Sequence, residues 1–203
     1  MKILLSISLL MVFSNLLSQS SELDKKVEKF LKEHRSEWHD LNVPFVDGQT
    51  LHDIIVKNNY TSALEIGTST GHSTLWLAWA MSKTGGKVIT VELSKKRHEQ
   101  AIKNLTEAGL IQFVDARLGN AHEIVKELSG TFDFVFSDAD KDWYKNYFID
   151  VKPKLKKGGC YTAHNVLDGN VPQSYIDFVN HDNDFETTID KKSHSGIQIS
   201  YKK

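Results

Sequence analysis

From Ser21 to Trp38, Leu23, Val27, Phe30 and Leu31 recur three to four residues apart among lysines and glutamates, which predicts an amphipathic helix. A second helix is expected from about Asp47 to Asn58. Beyond it, short apolar runs alternate with segments of helical period. Strands are expected at Ser62–Ile66, Lys87–Val91, Ile111–Asp115, Thr131–Ser137 and Gly159–Ala163, with helices at His72–Ser82, Lys95–Ala108, Ala121–Leu128 and Asp142–Leu155 between them. Parallel strands need a crossover connection, so this alternation with short links specifies an α/β fold with a parallel sheet covered on both faces. The rhythm then breaks. A helix near Pro172–Asn180 is followed by Phe185–Asp190 and Ile197–Lys203, joined by the glycine-containing link Lys191–Gly196, which predicts a closing antiparallel hairpin.

The first twenty residues follow a different pattern. Lys2 precedes the apolar run Ile3 to Phe13, interrupted only by Ser6 and Ser8, and Ser18-Gln19-Ser20 follows. A basic start, an apolar stretch and a small-residue end are the three parts of a secretory signal peptide. The run is too short for a stable bilayer anchor, which needs ~20 apolar residues. Cleavage is expected near Ser20, leaving one domain over residues 21–203 that is exported to the periplasm or secreted, with no stable membrane anchor. The alternatives are an uncleaved, cytoplasmic chain and an N-terminal helix packed on the domain.

Composition narrows the partners. In 203 residues, 25 Lys and Arg face 26 Asp and Glu, a formal net charge of −1, so no bulk field attracts nucleic acid. A small-molecule partner is expected. The single cysteine, Cys160, excludes an intrachain disulfide framework and a cysteine-based zinc cluster.

In α/β sheets of this kind, ligands bind beyond the carboxyl ends of the strands. The first strand ends in Glu65-Ile66-Gly67-Thr68-Ser69-Thr70-Gly71-His72-Ser73. Two glycines at a strand-to-helix turn let backbone approach a ligand, and the following helix start offers free N–H groups. The dinucleotide fingerprint is absent, because Ser69 stands where its middle glycine would be, and this argues against a nicotinamide oxidoreductase. Glu65 would repel a pyrophosphate but attract an ammonium. Glu92, 25 residues after Gly67, stands where a carboxylate takes ribose hydroxyls. A nucleoside carrying an amino acid, S-adenosylmethionine (SAM), suits both acids.

The fourth strand ends in Asp138, a carboxylate at the top of a buried strand that needs a metal or a hydrogen-bond donor to offset its desolvation. The fifth strand ends in His164-Asn165, beside it. Asp138, His164 and Asn165 thus converge either on one divalent cation or in a hydrogen-bonded cluster. The spacing of Asp138, Asp140 and Asp142 does not continue into a calcium loop, whose sixth and twelfth positions here are Trp143 and Ile149.

Leu64 to Thr74, Val88 to Glu92, the run FDFVFSDADKDWYKNY from Phe132 to Tyr147 and GGCYTAHNV from Gly158 to Val166 resemble the cation-dependent class I O-methyltransferases, the group of catechol and caffeoyl-CoA O-methyltransferases. The likeness covers about Val43 to Lys203. It implies a Rossmann-like, doubly wound, mostly parallel seven-stranded sheet in the order 3-2-1-4-5-7-6 with a C-terminal antiparallel hairpin. It further implies that Glu65, Gly67, Gly71 and Ser73 hold the methionine end of SAM, that Glu92 takes the ribose, and that Asn120 and Ala121 flank the adenine. Asp138 and Asn165 would be metal ligands and Lys141 the general base. The implied activity is SAM-dependent methylation of a small hydroxylated acceptor, such as a vicinal diphenol.

One departure bears on the metal. The family pattern after the fifth strand is Asp-Asn, and this chain has His164-Asn165. An imidazole in the site moves preference from Mg²⁺ toward Mn²⁺, Fe²⁺, Co²⁺ or Zn²⁺. The alternative is a weakened or absent metal. The second function class is an exported, non-catalytic small-molecule-binding protein on the same scaffold. Relatives commonly form homodimers, and the Leu23–Trp38 helix is a candidate face for one.

Overall fold

A computed structural model of the chain describes residues 22–203, so the expected leader and its cleavage site lie outside the described residues. The amphipathic helix α1 occupies residues 22–33 and α2 spans Phe45–Asn58. Then follow β1 (Ser62–Ile66), α3 (His72–Thr84), β2 (Lys87–Glu92), α4 (Lys95–Ala108), β3 (Val114–Leu118), α5 (Ala121–Glu127) and β4 (Phe132–Ser137). The chain continues through α6 (Tyr144–Val151), β5 (Leu155–His164), α7 (Gln173–Asn180), β6 (Phe185–Asp190) and β7 (Ile197–Lys202).

The seven strands form one sheet in the order β3-β2-β1-β4-β5-β7-β6, the expected Rossmann-like order. β1 to β5 pair in parallel, and β7 runs antiparallel to both β5 and β6. Because side chains alternate along a strand, β1 and β4 feed two cores. Ala63, Phe134 and Phe136 join α1, α2 and α3 on one face. Leu64, Ile66 and Val135 join Tyr144, Phe148 and Tyr175 of α6 and α7 on the other. Trp76 and Trp79 belong to the first of these cores, as Trp spacing on α3 suggests.

Several boundaries differ from the sequence reading, and α1 ends at residue 33 rather than running to Trp38. Ile111–Phe113 forms a 3-10 turn rather than the start of a strand, and β3 begins at Val114. The apolar run signals burial, and the turn packs its side chains into the first core, whereas β3 is an edge strand with polar Asp115 and Arg117 and no buried residue. The helix expected at Asp142–Leu155 keeps α-helical form only over Tyr144–Val151. It has 3-10 turns on either side, the second containing Pro153, which has no N–H to continue the helix. β5 accordingly starts at Leu155 and is ten residues long. Among the described residues no helix is long and apolar enough to cross a membrane.

Connections leave the sheet in opposite directions from β1 and β4, which makes the gap between their carboxyl ends the topological switch point. There the two backbones nearly touch. Asp138 N–H donates to the Ile66 carbonyl at 2.8 Å. Gly67 has φ +103°, and a Cβ on it would stand 2.7 Å from the Asp138 carbonyl oxygen. Both the backbone angle and the contact require glycine at this position.

Candidate active site

Two cavities open at the switch point and meet at Asp138 and Ala139. The first, about 360 Å³, is lined by Gly67, Ser69, Glu92, Asn120, Ala121 and His122 with Leu41 and Tyr147 at its sides. The second, about 500 Å³, is lined by Lys141, His164, Asn165, Asn170, Ser195 and the Leu41-Asn42 segment.

In the first cavity Glu92 is held from both ends. Its Oε2 accepts Ser69 N–H and its Oε1 accepts Ser94 N–H, both at 2.8 Å. Ser69 reaches that position through a left-handed backbone (φ 49°), which a tight turn between Gly67 and Gly71 supplies. Asn120 caps α5, its side-chain oxygen accepting His122 N–H at 3.0 Å. His122 stacks on Trp143 with ring centroids 4.2 Å apart, forming part of the cavity wall. Above the cavity, Arg97 forks onto both carboxylate oxygens of Asp40 at 2.9 and 2.8 Å.

Glu65, Gly71 and Ser73 lie beneath the β1–α3 turn rather than on the cavity wall. Gly71 (φ +95°) serves packing, because a Cβ there would approach Ala101 to 3.2 Å. Glu65 is fully buried, and its Oε2 accepts the Thr74 and Thr90 hydroxyls at 2.5 and 2.6 Å. Its Oε1 has no hydrogen-bond partner among the described residues. Burial pushes this carboxyl up to about 7, against the lowering effect of the hydroxyls. A buried carboxylate beneath the turn is a source of negative potential that favours a cationic group in the neighbouring cavity.

The second cavity is built on ion pairs. Lys141 Nζ donates to Asp138 Oδ1 and to the Tyr144 hydroxyl, the latter at 2.9 Å. His164, buried at the end of β5, has Nδ1 3.4 Å from Asp138 Oδ1 and Nε2 2.8 Å from Asp47 Oδ2. Asp47, 2% exposed in the first turn of α2, also accepts the Ser193 hydroxyl at 2.7 Å. Burial alone would lower the His164 ring, but the two carboxylates outweigh it and raise it to about 9. Burial would likewise raise Asp138, yet His164 and Lys141 hold it below the usual carboxylate range.

Of the three residues expected around a divalent cation, Asp138 and His164 face one another, while Asn165 does not join them. His164 Nε2 hydrogen-bonds Asp47 Oδ2, and its Nδ1 lies within ion-pair distance of Asp138 Oδ1. A metal ligand requires the neutral ring with a free lone pair. Asn165, in a left-handed backbone (φ 62°), turns its amide to Asp168 Oδ2 at 2.5 Å. Among the described residues no three His, Cys, Asp or Glu side chains are grouped to hold a metal ion. Asp138 and His164 do come together as the strand ends suggest, but as an ion pair. Asp47 and Ser193 escaped the sequence reading, since an acid at a helix start is ordinarily a solvated partner of the helix dipole.

Comparison with known proteins agrees with this architecture. A family model described as O-methyltransferase matches residues 16–184. A catechol O-methyltransferase of Niastella koreensis is 41% identical over 113 residues, covering 53% of this chain and 51% of the relative. Caffeoyl-CoA O-methyltransferase 1 of Eucalyptus globulus is 32% identical over 135 residues, covering 64% and 54%. The chain thus spans about half the length of these curated relatives. The structure of an O-methyltransferase from Bacillus cereus in complex with SAH superposes with a TM-score of 0.73 at 25% identity, covering 88% of this chain and 91% of that one. The O-methyltransferase TomG of Streptomyces achromogenes, in complex with SAM, gives 0.71 at 26% identity, covering 87% and 89%. With the family match running through the switch-point turn, every cavity-lining residue but Ser195 and five of the seven strands, the chain belongs to the O-methyltransferase family.

Proposed function

We propose that this chain transfers a methyl group from SAM to a hydroxyl oxygen of a small acceptor. The observation that carries the reading is the pair of cavities meeting at Asp138 and Ala139, one bounded by Gly67 and Glu92 and the other by Lys141 and His164. When bound, SAM supplies a sulfonium methyl. The acceptor oxygen would bond to that methyl carbon in line as the C–S bond breaks, the electron pair staying on sulfur to leave SAH, and the acceptor O–H proton would be released.

The chain's own groups bind and orient. Glu65, buried beneath the β1–α3 turn, places negative charge under the methionine end. Glu92 spends one lone pair of each oxygen on backbone N–H groups and keeps others for the ribose hydroxyls. Asn120 and Ala121 border the adenine. Lys141 Nζ, steadied by Asp138 and Tyr144, reaches the second cavity and orients the acceptor oxygen, which must come within roughly 3 Å of the methyl carbon. Lys141 is the residue placed to take the acceptor's proton, which requires its amine to have first given a proton to solvent. The names of the Niastella and Eucalyptus relatives and the SAH and SAM complexes of the two superposed structures support the reading. Isothermal calorimetry with SAM tests it: a one-site isotherm is expected, and no binding at millimolar SAM would sink it.

A further inference from the structure

Resting on that methyl-transfer reading, we propose that Asp40 and Arg97 are positioning residues of the cofactor site: their ion pair latches a strap, residues 40–43, over the β1–α3 turn, so that Leu41 covers the cavity and SAH leaves when the latch opens. The strap belongs to the irregular segment between α1 and α2. Four side chains from elsewhere in the chain hold it. Arg97 Nε and Nη2 donate to the two carboxylate oxygens of Asp40 at 2.9 and 2.8 Å. The Ser69 hydroxyl donates to the Asp40 carbonyl at 2.5 Å. Thr70 Oγ1 accepts the Asn42 amide at 3.0 Å, and His72 Nδ1 donates to the Val43 carbonyl at 2.9 Å.

Leu41 is the residue these bonds display. It lies on the wall of both cavities, is 72% exposed, and holds a left-handed backbone (φ 53°). That region disfavours a leucine, and the bonds on either side of it, at Asp40 and Asn42, keep it there. Its exposed side chain is apolar surface at the edge of the Gly67–Glu92 cavity, and a ligand seated in that cavity removes it from water.

The latch and the cofactor share supports. Ser69 donates its N–H to Glu92 Oε2 at 2.8 Å and its hydroxyl to Asp40. The other Glu92 oxygen accepts Ser94 N–H, and Ser94 caps α4, whose first turn carries Arg97. The carboxylate read as the ribose ligand is therefore braced by the same turn and the same helix start that hold the strap. Filling the Glu92 site and closing the strap then favour each other, because such coupling is reciprocal. The pair is also suited to opening. Its side chains are 34% (Arg97) and 53% (Asp40) exposed, where an ion pair adds little to fold stability and is screened by salt. Asp40 lines neither cavity, so its carboxylate can be changed without altering their walls.

The test follows release of radiolabelled SAH from the full chain into excess unlabelled SAH by rapid filtration. Asp40→Asn is expected to release SAH up to about 5-fold faster, the ceiling of about 1 kcal/mol for an exposed pair converted at about 1.36 kcal/mol per factor of ten. Arg97→Lys, which keeps the charge but loses the fork, is the second variant and is expected to lie between Asp40→Asn and the wild type. Raising NaCl from about 50 to about 500 mM is expected to speed release from the wild type and from Asp40→Glu, and not from Asp40→Asn. Adding Arg97→Gln to Asp40→Asn is expected to change the rate less than Arg97→Gln does alone, since the partner is already gone. Leu41→Ala, which shortens the cover and keeps the latch, is expected to speed release with the salt response intact. Thermal melts check the fold of each variant. Equal release from the wild type and folded Asp40→Asn overturns the latch, as does the same salt response in both or an additive double variant. Wild-type release from Leu41→Ala overturns the cover. A wild type that binds no SAH at millimolar concentration defeats the methyl-transfer reading and the latch with it, whereas binding with unchanged release defeats the latch alone.

Discussion

Glu65 and Asp138 are carboxylates at the ends of adjacent strands, β1 and β4, and they are pushed in opposite directions. Glu65 is wholly buried among hydroxyls, has one oxygen without a partner among the described residues, and is raised to about 7. Asp138, with 11% of its side chain exposed, faces His164 and Lys141 and is held below the usual range. Hydroxyl donors offset only part of the cost of burying a carboxylate, whereas two cations more than offset it. The difference separates the roles of the two sites. The β1 carboxylate is held by hydroxyls alone, whereas the β4 carboxylate stands beside Lys141 and His164.

The most severe way to break the contrast is to remove the imidazole between Asp47 and Asp138. His164→Ala strands Asp47 and Asp138 as buried charges without their shared partner and is expected to cost about 3–5 kcal/mol of stability at neutral pH, measured by urea unfolding. A loss below about 1 kcal/mol, the range of exposed pairs, would mean that His164 is not what holds these acids.

Glu65 gives the opposite signature in pH. Its folded value lies above the ordinary 4.5, so the folded state binds the proton more tightly. The stability this contributes is complete below pH 4.5 and is lost as pH rises through about 7. The swing is about 3 kcal/mol at 1.36 kcal/mol per pK unit. Glu65→Gln, which mimics the neutral acid, is expected to flatten the stability profile across that window. An unchanged slope would place the titration elsewhere.

The cofactor side is sharpened by Glu92. Replacing it with alanine is expected to weaken SAM by about 1.5–3 kcal/mol, the scale of hydrogen bonds to a charged group, with Glu92→Asp losing less. Calorimetry on both variants is the check, and an equal dissociation constant for Glu92→Ala would remove this residue from the ribose site. The smallest effect belongs to Arg97, whose pair with Asp40 sits at the rim with both side chains about a third exposed or more. Arg97→Ala is expected to change stability by about 0.2–1 kcal/mol, and a thermal melt that falls much further would show that surface and buried pairs are not as different here as their solvation implies.

Much of this was legible in the sequence because the signals are local. Strand and helix periods, Gly67 and Gly71 at the first turn, and acids at positions 65, 92 and 138 each follow from neighbouring residues, and connection rules then leave few sheet orders open. The local signal misled at Ile111–Phe113, where an apolar run marked burial but not strand. It also gave no sign of which convergent residues would face one another. His164 reads equally as a ligand or as a cluster member until its neighbours are known. Asp47 lies 117 residues away from it and Ser193 lies 146 residues from Asp47, and only the packing of α2 and the β6–β7 link against the sheet brings them into contact. The sequence by itself determined the sheet, the switch point and the acids that line it. Tertiary structure decided their charge states, because the energy of a buried ionisable group is set by partners that sequence distance does not reveal.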